Sequence, residues 1–494
     1  MSNYSPQEFR LIQDEINNLF NSNSTWKSVG FRHKITNGQD TGDVAITLLT
    51  KEKLPLDQID SNDVFPESII IPGLSEPVKT DVQVADTDNI PIAQCHETVF
   101  DIDDESSWVM PCSGHRVEHR PLKGGLSCSS FPNDGYGDGS VYPSPGWSMP
   151  IGTLGGLCID LDDNTVVGVS NNHVLGGHQV RGDTLPTSAY CNQYGLTYWS
   201  ILSSIETTST ALNETRYSVY QRSSGDEGNG SNNPPLSQPK TQLDLLKVGT
   251  TKRAYPFTST NNKLDVAIFA LDTTVSDLFS TTESWKQYLL ARQDEDMVGT
   301  YQGLSAMDFA TTDEINSLAA GGGNEYAPVF RSGRTNGPVG WPGSKLYGTS
   351  TCWLSAYDVT GAHNVNYGDN LGSIGFVESI YLSGGVIAAT GGDSGSFVYA
   401  LFNEGNPTLS AWKVIGILFA ASGSGNVAKA NRIDNVASMF NLSAYRGEDL
   451  DIGYKNYDMK VVDSRQSAVT AMIAGKLYWQ AGSTNSPATG RFDT

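Results

Sequence analysis

The chain has 494 residues, with 32 lysines and arginines against 54 aspartates and glutamates, for a formal net charge of −22. That length can supply two or three compact units with buried cores. The acidity argues against nucleic-acid phosphate or an anionic membrane surface as the main partner, because both would be repelled over a broad area.

No run of about 18 uninterrupted apolar residues occurs, and MSNYSPQEFRLIQDEINNLF lacks the basic and apolar regions of a secretory signal, so a cytoplasmic protein is expected. Six cysteines (Cys95, Cys112, Cys128, Cys158, Cys191, Cys352) are scattered without metal-ligand spacing and read as core residues. The sequons at Asn23, Asn213 and Asn441 match the frequency expected in a chain rich in Asn, Ser and Thr.

Ser5-Pro6-Gln7-Glu8 has the form of a capping box with proline at the first helical position. Phe9, Ile12, Ile16 and Leu19 follow at helical spacing, predicting an N-terminal amphipathic helix. Strand-like runs come next, DVAITLL at 43–49, SIII at 68–71 and VKTDVQV at 78–84, separated by Pro, Asp and Gly turns. Residues 1–95 therefore read as a small α+β unit. PNDGYGDGS and YPSPGW belong to a Gly/Pro/Asp-rich stretch that reads as a linker or surface-hugging loop, with 96–148 as its bounds.

Beyond it the pattern changes to short strands at fairly regular intervals: TLGGLCIDL, VVGVSNNHVL, LDLLKVG, LDVAIFAL, STCWLSAYDV, SGSFVYAL and VIGILFAA. This spacing favours an all-β barrel or sandwich over alternating βαβ units. Residues 206–240 are polar and poor in large aliphatics and read as a mobile insertion, and 275–328 as a second, partly helical one. NRIDNVASMF at 431–440 sets Ile433, Val436 and Phe440 at helical spacing, a closing helix. Residues 446–494 form a tail of no assigned role.

TGGDSGSFVY at 390–399 holds a serine in a tight Gly-Asp-Ser-Gly turn that runs into an apolar strand. Acyl transfer needs preorganised N–H donors for a developing oxyanion, and Gly392 and Ser394 are the natural pair. A G-x-S-x-G elbow is ruled out by Ser396 standing where its last glycine would be. His173 ends the apolar strand VVGVS, and Asp265 begins LDVAIFAL, where a buried carboxylate could accept from imidazole Nδ1–H. Alone, each reads as an ordinary core histidine, strand-edge aspartate or surface turn. The order His, Asp, Ser gives them joint weight, with Asp244 in QLDLLKV as the alternative third member.

Rival motifs are weaker. His115-Arg116-Val117-Glu118-His119 fits the H-x-x-E-H pattern of a zinc peptidase, but its alternation and the flanking Gly114 and Pro121 suit a strand rather than a metal-binding helix. No metal and no cofactor is therefore expected. His178 and His363 sit in Gly-rich stretches and read as exposed loop residues.

These elements resemble the trypsin-like, chymotrypsin-fold serine peptidases, and more narrowly the bacterial members related to the plant narrow-leaf protein. The stretches that carry the resemblance are SVGFRHKITNGQDTGDVAITLLTKEKLPL (28–56), GTLGGLCIDLDDNTVVGVSNNHVL (152–175), FRSGRTNGPVG (330–340) and GGDSGSFVYAL (391–401). The implied fold is mainly β: a chymotrypsin-like double β-barrel behind the N-terminal α+β unit. The first barrel would span 149–290 and the second, with the closing helix, 329–445, joined by a partly helical connection at 291–328.

The implied activity is serine endopeptidase, with His173 as general base, Asp265 as orienting carboxylate, Ser394 as nucleophile, and Gly392 and Ser394 as oxyanion donors. The alternative is a catalytically silent barrel used as a binding or assembly module, which the charge-poor, Ser/Thr/Asn/Gly-rich composition would suit in a structural or virion-associated protein. The resemblance also implies a primary pocket with Ala388 at its floor and Phe419, Ala420 and Ala421 along one wall, a protein or peptide substrate, and a ring-like homo-oligomer. In trypsin-like zymogens a newly cut N-terminal amine pairs with the aspartate before the nucleophile. Here that residue is Asp393, which is expected to find an internal donor or to depend on a regulatory partner that orders the loop.

Overall fold

In the computed structural model, the described residues, single positions and short stretches excepted, are 4–84, 124–132, 151–175, 180–181, 201–202, 217–221, 247–271, 308–319, 327–339, 354–384, 389–402 and 412–444. Ser5 caps helix α1 (Pro6–Ser22) reciprocally with Glu8, as the sequence predicts. Phe9, Ile12 and Ile16 are fully buried, each stabilising the docked helix by about 1.5–3 kcal/mol.

Strands β1 (Ser28–Thr36), β2 (Gln39–Thr50), β3 (Ser68–Ile69) and β4 (Val78–Val84) follow. They do not form a free-standing unit. β1 pairs with β17 (Leu354–Asn366), so the N-terminal strands extend the second barrel's sheet. That seam buries polar groups. Arg32 is ion-paired with Asp358, Lys429 lies 3.1 Å from His363 Nδ1, and Ser28 Oγ lies 2.5 Å from the same nitrogen. His363 is a strand residue only 1% exposed, not the exposed loop residue the sequence suggests. Glycines around it mislead because in β17 they make room for buried side chains; a Cβ at Gly361 would fall 2.2 Å from His363 Nε2.

The first barrel contains β5 (Ser127–Pro132), β6 (Ile151–Thr153), β7 (Gly156–Asp160), β8 (Thr165–Ser170), β11 (Tyr217–Gln221), β12 (Lys247–Ala254) and β13 (Ala267–Leu271). Between β8 and β11 lie helix α2 (Asn172–Leu175) and a separate parallel pair, β9 (Val180–Arg181) with β10 (Ile201–Leu202). Pairing runs β7, β8, β13, β12, β11, β5, β6. The chain passes from β6 into β7 through Gly155, whose N–H bonds to Val169 O, so the sheet curls back on itself. Two strands lie where the sequence reads only loops: β5 inside 96–148 and β11 inside 206–240. They pair with each other inside the sheet, and their short polar sequences carry little apolar alternation, so only long-range pairing defines them.

The second barrel is a closed ring. β15 (Ala327–Gly333) pairs with both β17 and β19 (Phe397–Leu401), and β20 (Trp412–Ala421), β21 (Val427–Arg432) and β18 (Ser373–Gly384) complete it. β14 (Asp308–Phe309) joins β20, α3 (Thr312–Ala319) lies in the predicted connection, and β16 (Gly337–Val339) flanks β15. Helix α4 (Ile433–Phe440) closes the unit, burying Ile433, Val436 and Phe440 as their spacing predicts. β22 (Leu442–Ala444) then returns to pair with β7 of the first barrel. The fold is mainly β with two curled sheets, in keeping with a chymotrypsin-like double barrel. No helix among the described residues is long and apolar enough to cross a membrane. The tail at 446–494 lies outside the described residues.

Candidate active site

Asp265 sits two residues before β13, in a segment anchored to the second barrel. Its N–H donates to Asn431 Oδ1 at 2.8 Å, and its carbonyl accepts from Asn171 Nδ2 at 2.6 Å and Asn431 Nδ2 at 3.1 Å. With the main chain fixed from both sides, the carboxylate has a set direction. Oδ1 accepts the backbone N–H of His173 at 3.1 Å, and Oδ2 accepts His173 Nδ1 at 2.5 Å. A carboxylate can only accept, so Nδ1 carries the proton and Nε2 is left with the basic lone pair. Both side chains are 0% exposed, where such a bond gains strength from the low local dielectric.

His173 lies in the short helix α2, directly after β8, with Val174 and Leu175 buried in the first barrel's core beside Phe269 and Val248. Apolar anchoring on one side leaves the ring facing the barrel seam. Tyr367, at the end of β17, donates its hydroxyl to Asp265 Oδ2 at 2.7 Å, and its ring lies edge-on to His173 with centroids 6.0 Å apart.

Ser394 comes from the second barrel, in the turn before β19. Gly392 at φ 90° and Gly395 at φ 101° occupy the left-handed region that glycine tolerates. At Gly395 space also forbids a side chain, since a Cβ would fall 2.1 Å from Thr153 O. The turn is docked on β6: Thr153 N–H donates to Ser394 O at 2.7 Å, and Ser170 Oγ donates to Thr153 O at 2.6 Å. Ser170 is three residues before His173. The turn and α2 therefore meet at the same two strands. A Cβ on Gly152 would touch both, 2.4 Å from Val174 Cγ2 and 2.9 Å from Ser394 O. Ser394 Oγ and His173 Nε2 are not hydrogen-bonded to each other.

Among the described residues, the N–H groups of Gly392 and Ser394 donate no backbone hydrogen bond. The carbonyls around them are held. Gly391 O accepts from Thr335 Oγ1 at 2.7 Å, Gly392 O from Thr153 Oγ1 at 2.8 Å, and Asp393 O from Ser396 Oγ at 2.8 Å. Asp393 has the internal donor expected of it: Arg331 at 3.0 Å, both side chains 0% exposed, with Thr335 N–H at 2.8 Å on the other oxygen.

Of the pocket residues, Phe419 is fully buried against Phe376, with centroids 4.8 Å apart, in a cluster that includes Tyr367. Ala420 is buried and Ala421 half-buried, while Ala388 lies outside the described residues. Asp244, His178 and the His115, Glu118, His119 motif also lie outside them. Among the described residues no group of three His, Cys, Asp or Glu side chains is disposed to hold a metal ion.

Sequence reasoning missed Asn171, Asn431, Tyr367, Arg331 and Thr335. Arg331 and Thr335 lie in FRSGRTNGPVG, where a buried arginine flanked by small residues was the available signal. Tyr367 carried none.

No family model matches the chain, and no curated protein does. Among solved structures, it is similar to one described as "A glutamic acid specific serine protease utilizes a novel histidine triad in substrate binding", at 15% identity over 66% of this chain and 100% of that one, with a TM-score of 0.28.

Proposed function

We propose that the chain is a serine endopeptidase acting through His173, Asp265 and Ser394. The observation that carries this reading is the buried couple in which Asp265 accepts three bonds, from His173 N–H, His173 Nδ1–H and Tyr367 O–H, and so holds the imidazole in one tautomer. Histidine Nε2 takes the proton from Ser394 Oγ as that oxygen attacks a peptide carbonyl. The new C–O bond shifts the carbonyl π electrons onto oxygen, and the N–H groups of Gly392 and Ser394 stabilise that oxyanion. Collapse breaks the C–N bond, and His173 returns the proton to the leaving amine. Water, activated by the same histidine, then frees Ser394 from the acyl group.

The test is covalent labelling by a fluorophosphonate probe, which reports an activated serine with no assumption about substrate. Wild-type protein should label and Ser394→Ala should not. Absence of labelling in both would leave the barrel as a binding or assembly module and remove the enzymatic reading.

A further inference from the structure

The turn that carries Ser394 is clasped from outside by two threonine hydroxyls, and a single residue orients both. Arg334 N–H donates to Thr153 Oγ1 at 2.9 Å, and Arg334 Nη1 lies 3.4 Å from Thr335 Oγ1. Arginine nitrogens only donate, so each hydroxyl accepts from Arg334 and has one proton to give. Thr335 gives its proton to Gly391 O and Thr153 gives its proton to Gly392 O.

A trans peptide sets its C=O and its N–H in opposite directions. Pinning Gly391 O outward on Thr335 therefore turns the Gly392 N–H inward, to the side where an oxyanion would form. The neighbouring peptide is set the same way, because Asp393 O accepts from Ser396 N–H at 3.1 Å and from Ser396 Oγ at 2.8 Å, turning the Ser394 N–H inward.

The carboxylate at the base of the turn is already occupied. Asp393 Oδ2 accepts from Arg331 Nη2 at 3.0 Å and Thr390 N–H at 3.1 Å, and Oδ1 accepts from Thr335 N–H at 2.8 Å. Arg331, Arg334, Asp393 and Thr335 are each at most 2% exposed. A freed α-amine would have to displace a buried guanidinium to reach this carboxylate.

We propose that Thr335, oriented by Arg334, and Ser396 are positioning residues that hold the two oxyanion amides permanently formed, and that with Arg331 on Asp393 they make the enzyme active as synthesised, with no cut amine required. This rests on the peptidase reading. None of these residues touches the substrate, so their effect falls on the transition state: stabilisation of the oxyanion, which exists only after attack.

The experiment compares wild type, Thr335→Val and Thr335→Ser with succinyl-Ala-Ala-Pro-Leu-p-nitroanilide, each folded by circular dichroism. Thr335→Val keeps the volume and the backbone N–H to Asp393 but frees Gly391 O. It should lower kcat about tenfold or more with KM within about twofold, and Thr335→Ser should restore kcat. A peptide aldehyde, which forms a tetrahedral adduct, should lose affinity by the same factor as kcat/KM, while the product acid should not.

Should Thr335→Val not fold, Ser396→Ala makes the same comparison at the Asp393 carbonyl, whose peptide carries the Ser394 N–H. A second arm labels full-length protein whose N-terminus is blocked by acetylation and confirmed uncut by mass spectrometry; it should react with the fluorophosphonate at the unblocked rate. Thr335→Val, or Ser396→Ala in its place, with wild-type kcat, or labelling that appears only after cleavage, overturns the proposal while leaving the peptidase reading in place. No labelling of wild type before or after limited proteolysis removes both.

Discussion

Tyr367 donates its phenolic hydroxyl to Asp265 Oδ2 at 2.7 Å, the same oxygen that accepts His173 Nδ1 at 2.5 Å. One residue from the second barrel thus completes the hydrogen-bonding of a carboxylate that belongs to the first. Its ring is held in turn by Phe257 and Phe376, so its hydroxyl is aimed by packing.

Tyr367→Phe keeps that packing and removes only the hydroxyl. A hydrogen bond to a charged group contributes about 1.5–3 kcal/mol, so kcat/KM should fall about 10- to 100-fold with the far-ultraviolet spectrum unchanged. Unchanged kinetics across pH would mean that Tyr367 supports only the aromatic cluster.

Ser394→Ala, His173→Ala and Asp265→Asn should each cost about 10⁴-fold in kcat, by analogy with the general behaviour of such triads. Asp265→Asn is the informative member. The amide preserves shape but presents a donor to Nδ1, favouring the wrong tautomer. Near-normal turnover in Asp265→Asn together with a dead Asp244→Asn would transfer the orienting role to Asp244.

The sequence positions carried over for the primary pocket, Ala388 and Phe419 to Ala421, bear no charge. A lysine or arginine side chain entering such a pocket loses its water without gaining a carboxylate, a penalty of several kcal/mol. Cleavage is therefore expected after Ala, Val, Leu or Met. A peptide-library profile dominated by Arg or Lys would show that a carboxylate from another part of this acidic chain lines the pocket.

The buried seam between β1 and the second barrel should respond to mild acid. Burial, with the nearby charges of Lys429 and Arg32, holds the His363 imidazole well below its ordinary value of 6.5. Ser28, whose Oγ lies 2.5 Å from Nδ1, Asp358, paired with Arg32, and Tyr381, which lies under both Lys429 and Arg32, also surround it. A base with a depressed folded pKa takes its proton more readily in the unfolded chain. Stability is then present above the ordinary value and is withdrawn as pH falls below it, by about 1.4 kcal/mol per unit of depression. Carboxylates behave differently. Asp434, where burial is outweighed by Arg432, titrates below its ordinary 3.8 and loses its contribution only near and below that pH. Melting temperature should therefore drop between about pH 6.5 and 5, and His363→Gln should flatten that part of the curve while leaving the steeper loss near pH 4. An identical curve for His363→Gln would assign the mild-acid sensitivity to another group.

The sequence alone determined the elements whose signals are local. The Ser5 to Glu8 capping box starts α1 where it is found, the spacing of Ile433, Val436 and Phe440 marks α4, and the apolar runs that lead into His173 and follow Asp265 and Ser394 identify the candidate site and the mainly β class. These depend on residues within a few positions of one another, which backbone periodicity and capping chemistry make readable. Tertiary structure alone decided what depends on pairing across tens to hundreds of residues. β5 and β11 became strands because they found each other, at Ser129 with Tyr220 and Cys128 with Gln221, and not because of their own patterns. The N-terminal strands became part of the second barrel through Ser28 opposite His363 and Val29 opposite Ala362, which is also why His363 is buried. Tyr367 on Asp265, Arg331 on Asp393 and Thr335 on Gly391 join segments 102, 62 and 56 residues apart. A hydroxyl or guanidinium has no periodicity to announce its partner; the closed sheets bring the two together, and burial then makes the bond obligatory because an unmet polar group there would be costly.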